Sequence, residues 1–290
     1  MTGFFQTLIE YFRDPFVSDV IFKALIVGIP VVLCASLLGV TLVLKRLSMI
    51  GDGLSHVGFG ALAIATALNF GASSNSTSTL LISLPIVIIA AFFLLRLSQS
   101  SKINGDAAIA LVSTGAIAVG YLLFSITGKG EPADVCSSLF GKSTIINIDN
   151  VIVPVSLALS VIVLALYILS FNKIFSITFD ENFATATGVK TKRYNILIAL
   201  LTAVTIVLGM QLVGAIMISG LIVFPTITAM RVCSRFRTVV ITAGIISVIC
   251  FVIGFFVAAV YDFPTGPSVI TINIIVYCCF TIASKLIRKK

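Results

Sequence analysis

The sequence predicts an all-α integral membrane protein, a polytopic helical bundle of eight or nine transmembrane helices, on three observations. Of its 290 residues, 59% are hydrophobic and only 10% are charged, where a soluble domain carries about 25% charged residues. Apolar runs of about 20 residues, the length that crosses a bilayer as a helix, recur along the whole chain. No strand-and-turn alternation of the outer-membrane barrel kind appears, so the backbone groups must pair within helices.

The elements follow in order. Residues 1–19 read as an amphipathic segment lying on the membrane surface, because Phe4, Phe5, Leu8, Ile9 and Phe12 recur at helical spacing. Glu10, Arg13, Asp14 and Pro15 make it unlike a cleaved signal peptide. Nine apolar runs come next: Val20–Leu44, Gly53–Phe70, Leu80–Leu95, Ala107–Ile126, Val151–Phe171, Asn195–Met210, Leu212–Met230, Val239–Val260 and Val269–Ile287. Eight spans result if one run is re-entrant. Asp106 opens the fourth run, where a carboxylate complements the helix dipole. No repeat or linker divides the chain, so residues 1–290 form a single transmembrane domain.

Charge sets the orientation. All of the 19 Lys and Arg residues except Arg13, Lys23, Lys129 and Lys142 fall in alternate connections or at the C-terminus. Basic connections face the cytoplasm. The C-terminus is therefore expected inside and, with nine spans, the N-terminus outside. The net charge of +8 reports this orientation and not a nucleic-acid partner. On the external side, Gly71–Thr79 is a polar turn, and Thr127–Asn150 carries Glu131, Asp134 and Asp149. The last external turn, "YDFPTGPS", has Pro264, Gly266 and Pro267 as punctuation. Asp262 and Glu131 are candidates for drawing cations to an external mouth, although solvated loop charges are the plainer reading.

Several functions are excluded. The longest cytoplasmic stretch, residues 172–194, is too short to fold as a catalytic domain, so the chain does not hydrolyse a nucleotide by itself. "CSSLFGKST" ends like a phosphate-binding loop but has Cys136 where the motif needs glycine, and it lies on the external side. The six cysteines form no CxxC pair and read as small apolar packing residues. A single histidine cannot supply the ligand set of an intramembrane metalloprotease.

One polar pair remains inside the apolar runs. In "IGDGLSHVGFG", Asp52 and His56 are spaced one helical turn apart and so share a face. An aspartate at the centre of a membrane helix costs about 2.5–3.5 kcal/mol on insertion scales. The pair is either a structural ion pair or the lining of a polar path. Those two ligand types together suit first-row divalent cations: carboxylate suits manganese, and imidazole suits zinc, copper or iron. Two ligands grip weakly. A second copy of the chain would double them, and a moderate grip is what a passing ion needs.

These residues also carry a resemblance. "KRLSMIGDGLSHVGFGALA" closely resembles the signature of the permeases of bacterial zinc, manganese and iron ABC importers. "SSLFGKSTIINIDNV", "FDENFATATGVKTKRYN", "QLVGAIMISGLIVFPTITAMR" and "DFPTGPSVI" are similar to further motifs of that family, in the same order. In "QLVGAIMISGLIVFPTITAMR", Thr226 and Thr228 stand in place of the family's commoner Pro-Ala-Ala ending. The resemblance implies a multi-pass subunit of the bacterial plasma (inner) membrane that is not itself an enzyme and works as a homodimer. It implies two separate ATP-binding subunits and an extracytoplasmic metal-binding protein as partners. No cofactor is held permanently, and ATP acts only through the partner. It also implies metal coordination at Asp52 and His56. The Gly-Asp-Gly-Leu-Ser-His form is most similar to zinc-type members, so zinc is favoured over manganese.

The cytoplasmic segment acquires a role by the same resemblance. Asp180 is placed to cap a short helix with Glu181 in its first turn and Gly188 as its stop, while Phe179, Phe183 and Val189 supply apolar knobs. Composition alone leaves this an ordinary capped loop; the resemblance implies that it couples to the ATPase. Pro225 inside an apolar run, preceded by Gly214, marks a hinge, a pathway position or a static kink. The rival to an ATP-driven importer is a gradient-driven transporter or channel without an ATPase.

Overall fold

A computed structural model describes residues 15–68, 76–98, 105–126, 152–261 and 263–288, and all regular structure among them is helical. In chain order the helices are α1 (Pro15–Leu44), α2 (Ser48–Leu68), α3 (Ser76–Ser98), α4 (Gly105–Ile126), α5 (Ile152–Phe179), α6 (Glu181–Ala186), α7 (Thr191–Val213), α8 (Ala215–Val232), α9 (Phe236–Tyr261) and α10 (Thr265–Arg288). The chain is thus all-α. Six helices hold segments long and apolar enough to cross a membrane: Ile21–Leu44, Asp106–Ile126, Val153–Phe179, Thr191–Met210, Phe236–Tyr261 and Thr265–Lys285. Leu81–Leu94 and Met217–Val232 are shorter apolar helices. α2 is in neither group, because Asp52, His56 and its glycines dilute its hydropathy.

Several boundaries differ from the sequence expectation. Of the 1–19 segment, residues 1–14 lie outside the described residues, and α1 already starts at Pro15, five residues before the expected span. The expected cytoplasmic stretch 172–194 is mostly helix. α5 continues to Phe179 because nothing between Asn172 and Phe179 breaks it, and Ile174 and Ile177 are buried along the way. The turn 261–268 is likewise shortened, since α10 begins at Thr265.

α1 and α2 occupy the centre. α1 packs against α5, α7, α8 and α9, and α2 against α3, α4, α7 and α8. Without a hydrophobic drive between helices in lipid, close packing and buried hydrogen bonds hold such a bundle. At the α1–α8 crossing, a Cβ added to Gly39 would stand 2.1 Å from the backbone oxygen of Ile222, so only glycine fits. Thr41 and Tyr167 meet at 3.2 Å between α1 and α5. The Ser247 hydroxyl of α9 donates to Val32 O at 3.4 Å. The outward helices α4, α5 and α10 expose Leu111, Leu122, Ile168, Leu169 and Ile275, as lipid-facing helices do.

Gly214 decides how α8 reaches the centre. The run Leu212–Met230 was expected as one span, yet Gly214 (φ 96°, ψ 155°) interrupts helix geometry between Val213 and Ala215. Only glycine reaches that backbone region without strain. α8 folds back along α7 there: Ile218 packs directly on Gly209, a contact that a continuous helix would forbid.

Candidate metal-translocation site

α2 puts Asp52 and His56 on one face, one turn apart, with Asp52 Oδ2 3.6 Å from His56 Nε2. The imidazole is mostly covered, at 16% exposure, and the carboxylate is half-exposed, at 47%. His56 Nδ1 is buried and has no hydrogen-bond partner among the described residues. Buried ring nitrogens normally have one. The neighbours explain why the pair sits close to other helices: Gly51 lies against Ile222 of α8 and Gly58 against Met210 of α7. Among the described residues, no third His, Cys, Asp or Glu completes a metal-binding group.

The sequence reading missed Ser219. Its hydroxyl, on α8, hydrogen-bonds the Asp52 carboxylate. Ser219 stands between Gly214 and Pro225, so the two residues marked as hinge or pathway positions flank the residue that touches Asp52. Pro225 is buried within α8 and removes one backbone donor from it. Thr226 and Thr228 donate back to Ile222 O and Phe224 O of their own helix, at 3.0 and 2.7 Å. Both are buried. The other two acidic candidates, Glu131 and Asp262, lie outside the described residues, as do Asp134 and Asp149.

The helical bundle and the position of this pair can be set beside known proteins. Residues 17–284 match the ABC 3 transport family. The chain belongs to that family. Its members are membrane permease subunits of metal ABC transporters, which makes this chain an integral, multi-pass membrane protein. The manganese transport system membrane protein MntC of Halalkalibacterium halodurans is 28% identical over 273 residues, covering 94% of this chain and 87% of that protein. The high-affinity zinc uptake system membrane protein ZnuB of Buchnera aphidicola is 25% identical over 252 residues, covering 87% and 93%. A solved structure titled PsaBC from Streptococcus pneumoniae in complex with Fab shares the fold, with a TM-score of 0.79 at 23% identity and 95% of each chain covered.

In this ABC 3 family chain the second candidate region is α6. Asp180 has extended backbone (φ −150°, ψ 104°), and its carboxylate accepts from the N–H groups of Asn182 and Phe183 at 3.0 and 2.9 Å. Such a cap satisfies donors that the first turn leaves unpaired. At the other end, Gly188 N–H donates to Thr185 O and Val189 N–H to Ala184 O, with Gly188 at φ 85°. That is a Schellman closure around a left-handed glycine. Glu181 occupies the first turn, as expected.

The two phenylalanines differ. Phe183 is 63% exposed. Phe179 is also exposed, but its ring packs tilted against Phe175 at 5.0 Å and edge-on to Phe236, at the start of α9, at 5.9 Å. Phe179 therefore anchors the end of α5 to α9 while Phe183 stands free of that stack. Phe236 was not singled out from sequence, since only the tertiary fold brings α9 beside α5.

Proposed function

We propose that this chain is the membrane-spanning permease of an ATP-driven importer of divalent metal ions, with zinc favoured and manganese next. It forms the translocation path as a homodimer, coupled to two copies of a separate cytoplasmic ATPase and fed by an extracytoplasmic metal-binding protein. The observation that carries this reading is the Asp52–His56 pair, held 3.6 Å apart with the imidazole turned inward and one of its nitrogens unpartnered. Two metal bonds of about 2.0–2.2 Å at a tetrahedral angle span roughly 3.4 Å. One ion taken by both side chains needs only a small rotation of either. Two ligands per chain give a grip weak enough for release, and a second chain supplies the other two.

Further features support the arrangement. A cytoplasmic C-terminus fits the distribution of basic residues over the nine helices of 18 residues or more among the described residues. This orientation puts α6 at the cytoplasmic face, where Asp180, Glu181 and Gly188 hold it as a rigid knob and Phe179 and Phe183 offer apolar surface to an ATPase groove. Pro225 and Gly214 allow α8 to carry Ser219 towards or away from Asp52.

The test is metal uptake in vesicles holding the permease with its ATPase, with zinc and manganese in competition. ATP-dependent zinc uptake that is lost in Asp52→Ala and His56→Ala supports the reading. Uptake that runs at full rate without ATP makes the chain a gradient-driven transporter. Uptake untouched by both substitutions removes the site.

A further inference from the structure

We propose that Lys45, Asn195 and Glu181 form a polar latch that ties α6 to the α1–α2 turn and so positions the helix carrying Asp52 and His56. This rests on the permease reading above and adds to it the residues through which α6 would act.

The geometry is a closed chain of contacts that joins the end of α1 to α6 and to the start of α7, 150 residues away at Asn195. The Lys45 ammonium donates to Asn195 Oδ1 at 2.5 Å. Asn195 Nδ2 donates to Glu181 Oε1 at 2.8 Å. Glu181 Oε2 stands 4.0 Å from Lys45 Nζ. The amide thus gives its acceptor to the cation and its donor to the anion, and neither contact survives a flip of the amide. Lys45 is only 10% exposed along its side chain, and Asn195 is 6% exposed. Burial pushes the Lys45 pKa down, and the Glu181 charge pulls it back up. An ammonium buried to this degree needs its partners.

What the latch holds is a turn under strain. α1 ends in a Schellman closure, with Arg46 N–H donating to Val43 O and Leu47 N–H to Leu42 O at 2.8 Å. The left-handed position that usually takes glycine is filled by Arg46, at φ 58°. α2 begins two residues later, and Asp52 lies in its second turn. Beneath the turn, Leu42, Leu47, Ile50, Ile198 and Thr202 bound a small cavity that also reaches Lys45 and Asn195. A strained turn above a small cavity is less tightly packed than the helix core around it. If α6 moves, Glu181 moves with it, and a buried Lys45 must follow or lose its partners. The start of α2 is then displaced directly. By contrast, α6 has no direct packing on α2 among the principal helix contacts.

The test uses the permease with its ATPase in vesicles, comparing the unmodified complex with Lys45→Met, Asn195→Leu, the double variant and Lys45→Arg. Three readouts are taken: ATPase co-purification, ATP hydrolysis, and zinc entry followed by an internal dye. The expected result is retained assembly and continued hydrolysis, with ions moved per ATP reduced about fivefold or more in either single variant. The double variant should fall no further than the worse single one, and Lys45→Arg should recover most of the ratio. An unchanged ratio in Lys45→Met and Asn195→Leu overturns the latch. So does a double variant in which the two losses multiply, or a loss explained wholly by failed assembly that Lys45→Arg does not correct. Absence of ATP-dependent entry of both zinc and manganese in the unmodified complex instead overturns the permease reading itself.

Discussion

Asp180 and Gly188 close opposite ends of the same six-residue helix, one through its carboxylate and the other through a left-handed backbone. A helix this short does not hold itself together by propagation, because nucleation is costly and few bonds follow. Its shape is made by its caps. Replacing Asp180 with Ala is expected to cost about 1 kcal/mol of local stability, or roughly fivefold in local opening. Hydrogen exchange at the amides of Asn182 and Phe183 should speed up accordingly, while the exchange of α7 is unchanged. Exchange rates at the two amides that stay the same would show that the cap does not hold α6.

Charge and shape can be separated at Asp52. Asp52→Asn keeps the volume and the contact with Ser219 but removes the anion. Zinc uptake is expected to fall more than tenfold, since a neutral amide is a poor ligand for a hard or borderline dication. The protein should still extract and elute as the unmodified chain does. Uptake within twofold of the unmodified level would assign the pair a structural role.

Phe183 and Phe179 should respond differently to substitution. Phe183→Asp changes a side chain that is 63% exposed, so thermal unfolding in detergent should be unaffected. Co-purification of the ATPase should drop sharply. Phe179→Ala, by contrast, opens the stack with Phe175 and Phe236 and should lower the melting temperature as well. Identical behaviour of the two variants would count against their separate roles.

At Gly214 a side chain would be forced into a backbone region reserved for glycine. Gly214→Ala is expected to destabilise the fold by about 1–3 kcal/mol, read as a lower unfolding midpoint on heating. A midpoint equal to the unmodified protein's would mean that the α7–α8 reversal tolerates another geometry.

Gly39 offers a packing counterpart at the α1–α8 crossing, where it meets the same Ile222 that Gly51 touches. A Cβ there meets the Ile222 carbonyl oxygen, which cannot rotate aside. Gly39→Val should separate α1 from α8 and cost about 1–3 kcal/mol or more, visible as poor recovery of monodisperse protein. Full recovery would place the two helices farther apart than described here.

Much of this protein is written locally. The apolar runs, the one-turn spacing of Asp52 and His56, and the Asp180–Gly188 frame all depend on residues within a few positions of each other. Helix period and cap chemistry act over that range, so the sequence alone determined a helical membrane bundle, its polar pair and its short capped helix. It also carried the motifs by which the chain resembles its family. Helix ends were less legible, because burial of Ile174 and Ile177 carries α5 beyond the expected loop. Only the tertiary structure decided that Ser219 reaches Asp52, that Phe236 stacks on Phe179, and that Lys45 finds Asn195 and Glu181. Those partners come from helices far apart in the chain, and no local pattern encodes which faces meet. The reversal at Gly214 and the close crossing at Gly39 bring them together, since a missing side chain controls how near two backbones can come.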